Sequence, residues 1–294
     1  MEHIRQAVER AKETQSADLQ PQEQPGSQRP QARTDAGATG NAQSWAKDVA
    51  LNGAFLESKR IIAHDITDPR TRSFDMLRTQ VLQSMDAKSW QLLGVTSPTA
   101  GCGKSVISIN LALSIARQSE RSVVLVDMDL QKPQIADTLG LKCDQGLLGA
   151  LEGRTSLSNA FIRVRIRNEQ FLVLPCEAST LSSSELIASR SMAGILQEIK
   201  RHFKASIVIL DLPPILTSDD VISILPQIDC VLFVAAGGTS TAQEIKECNK
   251  HLASTPIVRV VLNKAADATT NYSYSYSQSA KNSASRANTN KKRA

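Results

Sequence analysis

Gln91-Leu92-Leu93-Gly94-Val95-Thr96-Ser97-Pro98-Thr99-Ala100-Gly101-Cys102-Gly103-Lys104-Ser105 joins a short, nearly continuous apolar run to a loop of small residues ending in glycine, lysine and serine. Residues 91–96 have the composition of a strand buried on both faces, and residues 104–117 carry apolar positions at helical spacing. Strand, small-residue loop and helix is the context in which a glycine–lysine string acquires physical meaning. Small residues let successive N–H groups turn into a nest the size of a phosphate. Lys104 adds a cation at the β and γ phosphates, and the Ser105 hydroxyl offers a ligand to magnesium. Thr99, Ala100, Gly101, Cys102, Gly103, Lys104 and Ser105 are thus the expected nucleotide contacts, with ATP and Mg2+ as the implied ligands. Pro98 stands where the motif usually begins with a small residue. A glycine-rich turn with a solvated lysine is the plainer alternative.

Working outward, further β-rich runs occur at 122–126, 171–174, 206–210, 230–235 and 257–262, with helical patterns at 184–203 and 241–252. Continuous apolar strands separated by helices predict an α/β fold of the P-loop NTPase kind: a mostly parallel central sheet with helices on both faces. In such sheets ligands bind at the carboxyl ends of the strands. Two runs end there in carboxylates, Asp127-Met128-Asp129 and Asp211-Leu212-Pro213-Pro214. A lone aspartate after a strand is usually a turn or cap. Beside a phosphate loop, these supply what phosphoryl chemistry needs to position a metal ion and a hydroxyl. Asp219 and Asp220 read first as caps for a helix beginning near Val221, with Asp220 a secondary candidate for the site.

The ends read differently. Residues 1–13 place Ile4, Ala7, Val8 and Ala11 at helical spacing, the pattern of a short amphipathic docking helix or of a solvated one. Residues 14–55 are assigned to a disordered linker, because Gln, Ser, Ala, Gly and Pro dominate as far as Trp45 without apolar periodicity. Residues 56–266 form the expected P-loop domain, and 267–294 a flexible, tyrosine-containing basic tail. Hydrophobic residues make up 41% of the 294, enough for an ordinary core. Much of the +5 net charge sits in that tail, on Lys281, Arg286, Lys291, Lys292 and Arg293, so no nucleic-acid partner is expected. Five scattered cysteines without a Cys-x-x-Cys pair suit reduced thiols in a cytoplasm. No apolar run approaches the roughly 20 residues that cross a bilayer, so work at a membrane would go through a partner.

Over roughly 68–265 the chain resembles the bacterial tyrosine autokinases of capsule and exopolysaccharide synthesis, in their stand-alone cytoplasmic form. The resemblance rests on Leu77-Arg78-Thr79, Thr96-Ser97 entering the loop, and Asp127-Met128-Asp129-Leu130-Gln131-Lys132-Pro133, similar to that family's second Walker-type motif. Ser183-Ser184-Glu185-Leu186-Ile187, Asp211-Leu212-Pro213-Pro214 and Val261-Leu262-Asn263-Lys264 follow in order. It implies ATP-dependent phosphorylation of tyrosines in the chain's own tail, recruitment to the plasma membrane through a separate chain-length regulator of polysaccharide export, and assembly into a homo-oligomer. By the same resemblance Lys104 and Asp127 are catalytic, Asp129 orients Asp127, Ser105, Asp127 and Asp211 serve the metal, and Asn263 contacts the adenine.

The tail agrees with that implication. All three tyrosines of the chain, Tyr272, Tyr274 and Tyr276, fall within five residues of one another in a segment with nothing to bury them. A phenol of pKa near 10 needs help to lose its proton at neutral pH, and Asp127 is the candidate base. The family pattern is broken in places: Gln131 replaces an arginine, Arg72, Asp75 and Arg78 exchange the first two signs of the family's Glu-x-x-Arg-x-x-Arg oligomerisation helix, and Cys102 replaces a glutamate. Near a helix N-terminus and Lys104, the Cys102 thiol pKa could fall, although an inert small residue is the simpler reading. Two rival functions share the fold: a nucleotide-switched regulator of export without tyrosine kinase activity, and a positioning ATPase of the septum-placement or partition type.

Overall fold

The computed structural model describes residues 46–118 and 121–265. The expected helix at 1–13, most of the expected linker and the tail, with Tyr272, Tyr274 and Tyr276, lie outside the described residues.

The first described elements correct the linker boundary. Strand β1 (Lys47–Ala50) and helix α1 (Gly53–Ser58) both fall at least partly inside the stretch read as linker. β1 has only Val49 half-buried, so it carries no apolar run; pairing holds it instead, together with Asp48, which accepts from Arg163 and Arg165. Asn52 caps α1 by accepting from the Phe55 N–H at 3.1 Å.

Helix α2 (Thr71–Lys88) precedes β2 (Leu92–Thr96), and the phosphate loop connects β2 to α3 (Lys104–Ala116). β3 (Ser122–Asp127), the short helices α4 (Ile135–Leu139), α5 (Leu147–Leu151) and α6 (Leu157–Ala160), and the strands β4 (Ile162–Ile166) and β5 (Glu169–Leu174) follow. The expected single helix over 184–203 is two, α7 (Ser183–Ile187) and α8 (Arg190–His202). Ser189 divides them, since its hydroxyl both donates to Leu186 O at 2.6 Å and accepts from Met192 N at 3.2 Å. A serine that caps the next helix stops the previous one. The chain finishes with β6 (Ser206–Asp211), α9 (Asp220–Ile224), β7 (Cys230–Ala236), α10 (Ala242–His251) and β8 (Ile257–Asn263).

The strands form one sheet in the order β1-β4-β5-β3-β6-β2-β7-β8. β5 through β8 in that order run parallel; β4 turns back antiparallel on β5, and β1 runs parallel to β4. Alternation along each central strand sends side chains into two cores. Val124, Val126, Val208 and Leu210 join α8 on one face, while Val123, Leu125, Ile207 and Ile209 join α2 and α3 on the other. This two-sided burial explains why these strands read as unbroken apolar runs. It also puts the carboxyl ends of β2, β3 and β6, three adjacent central strands, side by side.

α2 and α3 are tied by charge. Asp75 accepts from Ser114 Oγ at 2.7 Å, from Arg78 at 3.1 Å and from Arg117, and Arg78 also reaches Ser114 O at 3.0 Å. Asp75 and Arg78 are therefore committed to the α2–α3 junction, whereas Arg72 is exposed. Among the described residues no helix is long and apolar enough to cross a membrane.

Candidate nucleotide site

The loop between β2 and α3 turns on two glycines in the left-handed region, Gly101 at φ 80° and Gly103 at φ 91°. Gly103 has a second constraint: a Cβ there would lie 2.3 Å from the amide nitrogen of Asn263. At Gly101 a Cβ would meet nothing within 4 Å, so the loop is open at its bend. Behind it, α3 presents the unpaired N–H groups of its first turn, a place that favours anions.

The structure brings the expected polar side chains together. Lys104 Nζ donates to Asp129 Oδ2 at 2.8 Å, and both residues are buried. Ser105 Oγ donates to Asp211 Oδ2 at 2.6 Å. Asp127 lies opposite Asp211 in the β3–β6 register. Its Oδ2 accepts from Gln134 N at 3.0 Å and Ile135 N at 2.9 Å, so the carboxylate also caps α4. Asp129 meets Asp127 through its own N–H, at 3.3 Å from Oδ1, while its carboxylate accepts from Lys104 and from Lys132 N.

Sequence reasoning missed two contacts. Ser108 Oγ donates to Asp211 Oδ1 at 3.1 Å; it sits three residues after Ser105, on the same helix face, a spacing that points to it. Lys264 Nζ donates to Gly101 O at 2.7 Å, and nothing in the local pattern announces that. Asn263, the expected adenine contact, donates from Nδ2 to Cys102 O at 2.9 Å. Asp220 is buried, accepting from Ser183 and Ser184, with Gln131 Nε2 at 3.3 Å from its second oxygen.

Electrostatics follow from burial. Burial pushes the Asp127 carboxyl up to about 8, and the neighbouring charge of Asp211 adds to this, against the Ile135 N–H bond and Lys104. Asp211 is raised by burial too, with Lys104, Ser105 and Ser108 opposing. Burial works against the charge on Lys104, but Asp211 and Asp129 outweigh it and raise its pKa. For Cys102, burial opposes ionisation, and hydrogen bonds with Ser240 and Thr99 more than offset it. Burial and the crowding of carboxyl groups raise both Asp127 and Asp211, and a dication would favour their ionised forms, so the donor set fits a magnesium–nucleotide. Among the described residues no three His, Cys, Asp or Glu side chains gather as a metal cage. A small hard ion at Ser105 would therefore take the rest of its oxygen ligands from phosphate and water.

A sequence profile of the CobQ/CobB/MinD/ParA nucleotide binding domain matches residues 93–284. The chain belongs to this family. Within it, the chain is 31% identical over 225 residues to EpsB, a candidate tyrosine-protein kinase of Ralstonia nicotianae, covering 76% of this chain and 29% of that protein. It is 26% identical over 218 residues to ExoP, a succinoglycan biosynthesis transport protein of Rhizobium meliloti, covering 71% of this chain and 27% of that one. The chain thus spans less than a third of the length of these two relatives. The kinase domain of the Escherichia coli tyrosine kinase ETK superposes with a TM-score of 0.63 at 26% identity, over 74% of this chain and 84% of the other. The resemblance to bacterial tyrosine autokinases is borne out by these relatives.

For a member of the CobQ/CobB/MinD/ParA family the phosphate loop is a nucleotide site, and the polar cluster beside it gains interest. Gln131, one of the residues that depart from the autokinase pattern, donates to Ser183 Oγ at 2.9 Å and Ser218 Oγ at 3.1 Å. It borders a cavity of about 420 Å³ lined by Ile215, Leu216, Thr217, Asp219, Ile222 and His251 among others. The uncharged amide stands beside Asp220, where an arginine would bring a positive charge.

Proposed function

We propose that the chain is an ATP-dependent protein-tyrosine autokinase regulating exopolysaccharide or capsule synthesis and export, with Tyr272, Tyr274 and Tyr276 as acceptors. The observation that carries the reading is the convergence of the phosphate loop with Asp127, Asp129 and Asp211 in a chain related to tyrosine kinases. Lys104 and the loop N–H groups bind the phosphates. Ser105, backed by Asp211, would hold Mg2+, which would supply charge neutralisation on the transferring group.

Asp127 takes the phenol proton. It does so in its ionised form, which the dication beside it would favour; burial and Asp211 raise its pKa, which brings the base closer to a phenol of pKa near 10. As the phenol oxygen bonds to the γ-phosphorus, the bond to the β–γ bridging oxygen breaks, ADP leaves, and the proton resides on Asp127. Asp129 keeps Lys104 directed into the site and meets Asp127 through its N–H. Asn263 lies at the loop edge, where its amide oxygen could contact the base. Recruitment to the inner face of the plasma membrane by a separate membrane chain-length regulator, and homo-oligomer formation, complete the reading.

Gln131 favours a second reading, a regulator of export that binds ATP without transferring phosphate to tyrosine. Mass spectrometry of the tail peptide after incubation with Mg-ATP and the cytoplasmic segment of the cognate membrane partner separates the two, with Lys104→Met as control. Phosphate on any of the three tyrosines in the wild type alone is the expected result. A clean tail in a chain that binds ATP sinks the kinase reading and leaves the regulator.

A further inference from the structure

The end of the last strand is built onto the phosphate loop. In a trans peptide unit the C=O of one residue and the N–H of the next point to opposite sides of the chain, and every described peptide bond is trans. A carbonyl held on one side therefore aims the following N–H to the other. Gly101 O is held by Lys264 Nζ at 2.7 Å, and Cys102 O by Asn263 Nδ2 at 2.9 Å. The N–H groups of Cys102 and Gly103 are thereby aimed away from β8. On the loop's entry side Ser97 Oγ holds Thr99 O at 2.9 Å, which does the same for the N–H of Ala100.

Two consecutive residues of a strand send their side chains to opposite faces. Asn263 and Lys264 reach the same loop because Lys264 adopts a left-handed backbone, φ 53°, where β8 ends. That conformation is uncommon for a residue with a side chain and is sustained only where surrounding contacts determine it. Here Gly237 supplies them: its N–H donates to Asn263 O at 2.7 Å, and a Cβ on it would come within 3.0 Å of Lys264 O. The residue that follows β7 thus fixes the turn that delivers both side chains.

The geometry points to Lys264 as a positioning residue of the nucleotide site, which pre-organises the loop N–H groups for phosphate through the Gly101 carbonyl. It rests on the loop being the nucleotide site, and it is independent of any kinase activity. Pre-organised donors need no reorientation when the anion arrives, so their loss is felt in affinity for phosphate and not for the base.

The test is equilibrium binding of fluorescent ADP, and its displacement by inorganic pyrophosphate, to the full chain and to Lys264→Met and Lys264→Arg. Lys264 is exposed, so the fold tolerates both. Lys264→Met is expected to weaken ADP and pyrophosphate by the same factor, about tenfold, which corresponds to about 1.4 kcal/mol. Lys264→Arg, which keeps a cationic donor, is expected to stay within about twofold of the wild type. Wild-type affinity in Lys264→Met overturns the inference, as does a loss for ADP without one for pyrophosphate, or a Lys264→Arg chain as weak as Lys264→Met. Failure of the wild type itself to bind ADP rejects the nucleotide site and the inference with it.

Discussion

Asp127 combines two demands that seldom coincide, a fully buried position and two backbone N–H donors on one oxygen. The donors favour its ionised form, and burial with Asp211 opposite favours the neutral one; burial wins, leaving the folded carboxyl near 8 against an ordinary value of 3.8. The folded state therefore keeps a proton that the unfolded chain releases above about pH 4. Asp127's contribution to stability therefore falls as pH rises from there to about 8 and levels off beyond it, where both states are ionised. Melting temperature in the absence of nucleotide should drop between pH 6 and 8 for the wild type and be flatter for Asp127→Asn. An equal slope in the two proteins would show that Asp127 is already ionised when folded. Lys104, Ser105 and both strand-end aspartates were legible because each follows a buried strand or opens the helix after the loop. Lys264 was not, because its partner lies 163 residues away and depends on a left-handed turn that no local pattern marks.

Elements were legible where burial writes a period into the sequence. The central strands are sealed on both faces, and each reads as an apolar run. β4 carries a different signature, Ile162-Arg163-Val164-Arg165-Ile166, whose strict alternation marks a half-buried strand rather than an apolar run. β1 carries none: it is an edge strand held by pairing and by arginines supplied from β4. At the α2–α3 junction, Asp75 and Arg78, which in sequence exchange signs of an assembly motif, are bonded to α3. Asp75→Ala leaves Arg78 and Arg117 facing each other with their carboxylate gone. Because Asp75 is 30% exposed, the expected cost is about 2 kcal/mol rather than that of a fully buried pair. It should appear as a lower urea midpoint at unchanged slope, with Arg72→Ala within about 0.5 kcal/mol of wild type. A large loss at Arg72 with none at Asp75 would reverse this assignment.

At the scale of the whole molecule, an acidic site on the sheet and a basic, tyrosine-bearing tail belong to one chain whose net charge is +5 and pI about 9.0. The tail from residue 267 carries five cations and one carboxylate, Asp267. Each tyrosine phosphate adds about −1.5 to −2 charges, so three of them cancel or reverse the tail's sign. That change is large enough to read without sequencing: incubation with Mg-ATP and the membrane partner should convert the wild type into a ladder of up to three more acidic species on isoelectric focusing. The composition sharpens the control. With only three tyrosines in the chain, replacement of Tyr272, Tyr274 and Tyr276 by phenylalanine leaves none, so the variant has no tyrosine acceptor anywhere. It should bind ADP as the wild type does, because none of the replaced residues belongs to the loop or the strand ends, and it should focus as a single band. A ladder that survives the triple replacement would assign the phosphate to serine or threonine, and the function to a different class of transfer on the same site.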